Sequence, residues 1–492
     1  MNCYRWWLCS FGSLPFCSFS NIHLNGLKPS NIIMKKSTSI LEFKLFFRNR
    51  SAWIGILVLL LTGVAGLYFG KTFIANQQSV IEKAAVLQKK NTLENIRHFN
   101  KDIGLIFFHN KFSTANLPDR WAAFANGQRD VNPYLISVTM LGIEGQLYDT
   151  DITNPVSMLL GNMDLSFVYL FLFPLVIIAF TYNLISEQQE SGIWSLLKSQ
   201  TNALTKVIWR KFLIRIAAVF AVAFLLLTAA VIYLHLPVDS TLAAVTGLII
   251  LYLAFWFAVS IFIVSLGRSS SYNASALVAI WVAICIVIPA SLNLFLTKKY
   301  GVPEALQNVI NQREGYHEKW DMPKEVTMKP FFEHYPQLKK YPFPADKTFS
   351  WFWYYGMQQM GDDQAIKSRL AVARKLASRQ HFTNIAALFF PTIQTQLAVN
   401  ELAGSDLSAH LEFQQKVRDN HEKIRLHFYP SIFQEKDIAS TDIKNVGLKK
   451  FIPTKIHNWS RLLPLLTWTL IMGTFAVRNL KCSALMRNTD TR

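Results

Sequence analysis

The chain has 492 residues, of which 51% are hydrophobic and only 16% charged, with a formal net charge of +19. That is too apolar for an ordinary soluble domain and too poor in charge for a disordered chain. The basic residues are dispersed and carry no reader motif, which excludes nucleic acid as a partner.

The first 33 residues hold Trp6, Trp7, Leu8 and Phe11, interrupted by Gly12 and Pro15. They lack the compact apolar core and cleavage site of a signal peptide. They are expected to be an over-extended start or a disordered tail, with Met34-Lys35-Lys36 as the natural beginning. Segment 34–52 sets Ile40, Phe43, Leu45, Phe46 and Phe47 among Lys44, Arg48 and Arg50. Two readings stay open for it: a cytoplasmic helix lying in the membrane interface, or a plain flank of the first span.

Six runs contain no Asp, Glu, Lys or Arg: 53–69, 165–185, 216–236, 242–267, 274–296 and 462–477. Crossing the hydrocarbon layer takes about 20 helical residues, with roughly 17 to 25 tolerated. The chain is therefore predicted to be an all-α polytopic membrane protein with six transmembrane helices. Between them lie inner segments 34–52, 186–215, 268–273 and 478–492, which hold 15 basic and 4 acidic residues. Segments 70–164, 237–241 and 297–461 hold 33 and 27. Because basic residues near spans stay in the cytoplasm, both termini are predicted inside and segments 70–164 and 297–461 outside, as two mainly helical extracytoplasmic insertions.

Residues 65–72, AGLYFGKT, match a relaxed phosphate-binding loop. Bulky Leu67, Tyr68 and Phe69 on a membrane helix cannot wrap phosphates, so no ATP is hydrolysed by this chain and no cofactor is expected. In 70–164, Val80, Ala84, Leu87, Leu93, Ile96 and Phe99 suggest helices. In 297–461 the first half is rich in turns and the second is helical in pattern. Its cluster Trp351-Phe352-Trp353-Tyr354-Tyr355 is expected to fill a core or seat the domain on the membrane, or to grip an amphiphilic substrate. His410 and His421 beside Glu412 and Glu422 are expected on a solvated face. No metal-ligand spacing, serine elbow or intramembrane charge is present in the sequence, which argues against an enzyme and against a proton- or sodium-driven pump.

The cytoplasmic loop 186–215 opens with Glu187 and Glu190, breaks at Gly192, and sets Ile193, Leu196 and Leu197 at helical spacing. Through Glu187, Glu190, Gly192, Leu196, Leu197 and Ser199, followed by Lys206 and Lys211, it resembles the segment between spans two and three of the type-2 ABC transporter permeases. It departs from that family at Ile193, where Thr is usual, and at Gln200-Thr201, which replace a Pro. Phe390-Pro391 and Leu402-Ala403-Gly404-Ser405-Asp406, continuing to His410, Phe413 and Arg418, resemble an uncharacterised bacterial branch with a large extracytoplasmic domain. The resemblance implies the membrane subunit of an ABC exporter in the bacterial inner membrane. Its partners would be cytoplasmic ABC ATPase subunits and a second permease, identical or homologous. The coupling helix would comprise Glu187, Glu190, Gly192, Ile193, Trp194, Leu196 and Leu197, with the two glutamates as polar anchors and Ile193, Trp194 and Leu197 as the buried contact. The alternative is a non-transporting sensor or assembly scaffold that displays its outer domain.

Overall fold

The computed structural model describes residues 40–99, 102–147, 163–194, 204–436, 441–454 and 458–486. The 1–33 segment and the 34–36 start lie outside them. About 78% of the structure is helical, and six helices are long and apolar enough to cross a membrane. A helix at 40–48, α1, precedes α2 (Arg50–His98), whose N-cap Asn49 accepts from the Ser51 amide. Leu59, Gly63, Gly66, Gly70, Ile74, Gln77, Ile81, Gln88 and Thr92 form one buried stripe along α2 at steps of three, four and seven. The opposite face exposes Ile54, Leu57, Leu61 and Val64, as lipid contact demands. The first span and the start of the following segment are thus a single helix. The stripe changes from glycine and leucine to glutamine and threonine as the helix leaves the spans.

The remaining spans are α5 (Leu165–Glu190), α6 (Leu204–Tyr233), α7 (Ser240–Val264), α8 (built of Ser270–Val282, a π-helical turn Ala283–Val287, and Ile288–Lys299) and α14 (Leu462–Met486). α5 and α7 are central and largely buried, while α8 and α14 are peripheral and present most of their surface outward. Glycines allow close helix approach: Gly63 faces Leu226 of α6, and Gly66 faces the backbone of Asp164 at the head of α5.

The described parts of segments 70–164 and 297–461 build one lobe. The first contributes α3 (Ile103–His109), β1 (Phe112–Asn116), β2 (Leu135–Val138) and α4 (Ile143–Gln146). The second contributes α9 (Glu304–His317), α10 (Lys324–His334), α11 (Trp351–Ala387), α12 (Pro391–Ala403), α13 (Leu407–Phe433) and β3 (Lys449–Phe451). The strands form one small sheet in the order β2-β1-β3, with β1 antiparallel to β2 and parallel to β3, so the two segments share it. The expectation of a turn-rich first half in 297–461 changes to helices α9 and α10: Pro303 and Pro323 stand at their N-caps, ahead of the helix interior where a missing N–H would break the ladder. The aromatic cluster at the start of α11 fills the lobe core. Phe352 stacks on Phe433 at 3.6 Å, Trp353 donates to Thr327 (3.1 Å), and Tyr355 donates to the Gly104 carbonyl (2.8 Å).

One element of 297–461 does not stay with the lobe. The chain turns at 388–390 and sends α12 among the spans, where Ala398, Val399, Leu402 and Ala403 share the core of α5, α6 and α7. Phe390 is the N-cap, Pro391 occupies the first turn, and Gly404 ends the helix in the left-handed conformation (φ 62°).

Candidate functional site

The N-terminus of α12 meets two irregular turns. α5 passes through a π-helical stretch, Val168–Leu172, just before Pro174, and α8 through Ala283–Val287 just before Pro289. Proline has no N–H for the carbonyl four residues back, so Pro174 leaves the Leu170 oxygen without its helical partner. Tyr252 of α7 fills the gap: its hydroxyl donates to Leu170 (2.7 Å) and lies 3.1 Å from Thr392 Oγ1 of α12. Trp281 of α8 donates to the next carbonyl, Phe171 (3.2 Å), and Cys285 Sγ lies 3.5 Å from Thr392 Oγ1. Four helices are therefore tied by polar contacts at the points where the ladders of α5 and α8 are broken. π-turns of this kind often mark functional positions. No base stands beside Cys285 or Thr392 in these contacts, so the cluster has the means to hold helices in register rather than to do covalent chemistry.

At the far end of the bundle from the lobe, the connector begins with the last turn of α5, Ser186–Glu190. Glu187 accepts from Asn183 (3.0 Å). Glu190 accepts from the Ser270 amide (2.7 Å) and hydroxyl (2.8 Å), satisfying the exposed N–H end of α8. Ser186 and Ser270 hydroxyls lie 2.7 Å apart. Gly192 turns the chain at φ 73°, the left-handed conformation that suits glycine. Ile193 follows, 49% exposed, while Trp194 packs against the span core. At the start of α6, Lys211 pairs with Glu42 of α1 at 3.9 Å. Glu190 and Trp194, expected to face a partner, are thus engaged within the chain: one caps a helix and the other hides its indole among apolar neighbours. Glu187, Glu190, Gly192 and Ile193 are all exposed, Glu190 with its carboxylate already accepting from Ser270; Leu196 and Leu197, like Ser199, fall outside the described residues.

A third cluster, in the lobe, was not anticipated. Asp362 of α11, fully buried, accepts from the Ile143 and Glu144 amides (3.0 and 3.1 Å) and from Arg425 of α13 (3.1 Å). Arg425 also donates to the Met140 and Leu141 carbonyls (3.2 and 2.8 Å) and to Gln359. Glu144 binds Arg418 through two contacts (2.8 and 3.2 Å) and Arg369 at 3.5 Å. These pairs clamp the β2–α4 turn between α11 and α13. Beside them His421, expected on a solvated face, is 2% exposed and donates to the Thr139 carbonyl at 3.0 Å. The stripe Phe413, Val417, His421, Ile424 and Phe428 carries it inward.

Burial and the neighbouring Arg425 hold the His421 pKa well below its ordinary 6.5. The unfolded chain then binds a proton that the fold refuses, so stability present above pH 6.5 is lost as pH falls below it, by about 1.4 kcal/mol per unit. Comparing wild type with His421→Gln isolates this slope. Thermal unfolding between pH 7 and 5 should show the wild type losing stability relative to the variant; parallel curves would mean that His421 takes up its proton as readily in the fold as in the unfolded chain.

A family model described as a domain of unknown function, DUF3526, matches residues 306–448. No curated protein and no solved structure matches the chain. The matched stretch takes in α11, α12 and α13, and with them the Asp362–Arg425 pair and the helix that enters the spans.

Proposed function

We propose that the chain is the membrane-spanning subunit of an ATP-driven ABC exporter of the type-2 permease kind, with ATP hydrolysed by separate cytoplasmic subunits. In this reading the connector end of the bundle lies in the cytoplasm of a bacterial inner membrane and the lobe lies outside. A second permease, identical or homologous, completes the pathway. The observation that carries the reading is the latch at the connector end. Glu190 binds the first turn of α8, so a push on the short Ser186–Glu190 turn is shared by α5 and α8, while at the same end Lys211 ties α6 to α1. Such a connection suits a two-state bundle switched by work delivered from outside, since contacts that differ between states are what shift an equilibrium. Farther along the same helices, α12 is wedged against the π-turns of α5 and α8, where a shift of either span would be felt.

Ile193 is the outward apolar residue of the described connector, and the chain continues to Leu197. Affinity capture of the tagged chain from membranes is expected to bring down ATP-hydrolysing activity. Ile193→Asp with Leu197→Asp should reduce that activity about tenfold or more, as for loss of a buried apolar anchor. Equal capture by both chains would remove the docking claim, and absence of ATPase from wild type would favour the scaffold reading.

A further inference from the structure

A cavity of about 600 Å³ opens where α8, α11 and α12 meet, within the roughly 300–1,000 Å³ typical of small-molecule pockets. Its α8 wall is mainly apolar, with Pro289, Leu292 and Leu296 and a single polar side chain, Asn293. The other side of that helix exposes Leu294 (72%) and Phe295 (45%), so this wall borders the hydrocarbon layer. Along α12 the lining passes from Ile393 and Leu397, near the mid-span contacts of Thr392, to Asn400 and Glu401 toward the lobe. Opposite the polar end, α11 supplies Arg379 and Gln380.

The charges at that end are not equivalent. Glu401 is neutralised by Arg461 at 2.8 Å, and Asp406 caps α13 by accepting from the Ser408 and Ala409 amides. Arg379 is half-buried, and among the described residues its guanidinium has no side-chain partner. A guanidinium held partly out of water without a counter-charge attracts a carboxylate or phosphate. An apolar slot leading away from it toward lipid has room for a hydrocarbon chain. The geometry points to a binding site for an anionic amphiphile, with its phosphate or carboxylate head at Arg379 and its chain between α8 and the first turns of α12. The site stands on the cavity alone and does not depend on the transport reading.

The probe is dodecyl phosphate carrying a photoreactive diazirine near the chain end, added to the full chain in neutral maltoside detergent. Crosslinked peptides are located by mass spectrometry. Saturable labelling of the stretches 289–296 and 393–400 is expected, competed by unlabelled dodecyl phosphate but not by inorganic phosphate or dodecyltrimethylammonium. Arg379→Ala should raise the half-saturating concentration about tenfold, as for loss of one charge-assisted contact, and Arg379→Lys should recover part of it. Leu397→Trp, which fills the slot, should abolish labelling while the protein remains monodisperse on size exclusion. Competition by inorganic phosphate alone would make this a simple anion site and overturn the amphiphile. Labelling unchanged in both Arg379→Ala and Leu397→Trp, or equal competition by the cationic homologue, would overturn the site itself.

Discussion

Replacing Arg425 with alanine is expected to cost the lobe about 3–5 kcal/mol, the range for removing one partner of a buried ion pair. The magnitude follows from what is left behind. Arg425 is 1% exposed and serves two carbonyls, an amide oxygen and the Asp362 carboxylate. Without it, Asp362 keeps only the two amides at the start of α4. Burial already pushes the Asp362 carboxyl up to about 6, with Arg425 and those amides pulling it down. Removing the guanidinium raises it further, so the variant gains a proton more readily in the fold than in the unfolded chain. Its deficit relative to wild type should therefore shrink as pH falls below neutrality. Thermal unfolding of the full chain in detergent, at pH 7.5 and 5.5, measures both effects. A loss under about 1 kcal/mol at pH 7.5 would place Asp362 in contact with water instead, where an ion pair contributes little.

The second large effect belongs to the junction between lobe and spans. A Cβ at Gly70 would lie 2.0 Å from the Ala123 carbonyl oxygen, which is backbone and cannot rotate away. The turn that carries it, Arg120–Ala123, is buried through Trp121, Ala122 and Ala123 and is tied to the end of α6 by Arg120 donating to the His235 carbonyl (2.8 Å). Gly70→Ala must push α2 off this turn, at about 1–3 kcal/mol for overpacking. Gly63 makes the useful comparison. Its added Cβ would come nearest the side chain of Leu226, at 2.5 Å, and a leucine side chain, unlike backbone, can shift. Alanine also favours the helix by about 1 kcal/mol over glycine, so Gly63→Ala should be near neutral while Gly70→Ala is clearly damaging. Yield of monodisperse protein and unfolding temperature rank the two variants, and the reverse order would contradict the close approach at Gly70.

The spans were legible because a membrane helix must exclude charge, and six runs of 16 to 26 residues do so with sustained apolar content. α12 escaped notice for the converse reason. Its 13 residues include Gln394, Thr395 and Gln396, too short and too polar to suggest a place among spans. Most of the polar groups are tolerated there because protein surrounds them: Gln394 donates to the Arg461 carbonyl (2.9 Å) and Thr392 faces Tyr252, while Gln396 lines the cavity beside α8. The apolar run Ala386 to Phe390 before Pro391 was the available signal. His421 was misjudged from its neighbour Glu422, although its own spacing from Phe413 and Val417 places it on the buried stripe. The sheet was not foreseen because β1, Phe-Ser-Thr-Ala-Asn, has little strand pattern and is fixed by partners from both segments. In the connector the periodic residues were evident, but pattern alone could not tell that Glu190 would be taken by Ser270.

Everything proposed for function requires the connector and the lobe to lie on opposite sides of the membrane, with the connector in the cytoplasm. Single cysteines at Ile193 and at Lys416, whose side chain is 52% exposed, introduced where the five natural cysteines are replaced, test this with a membrane-impermeant maleimide. In intact cells Lys416→Cys should be labelled at once, and Ile193→Cys only after the membrane is opened. Labelling of Ile193→Cys in intact cells, with Lys416→Cys protected, would contradict the account.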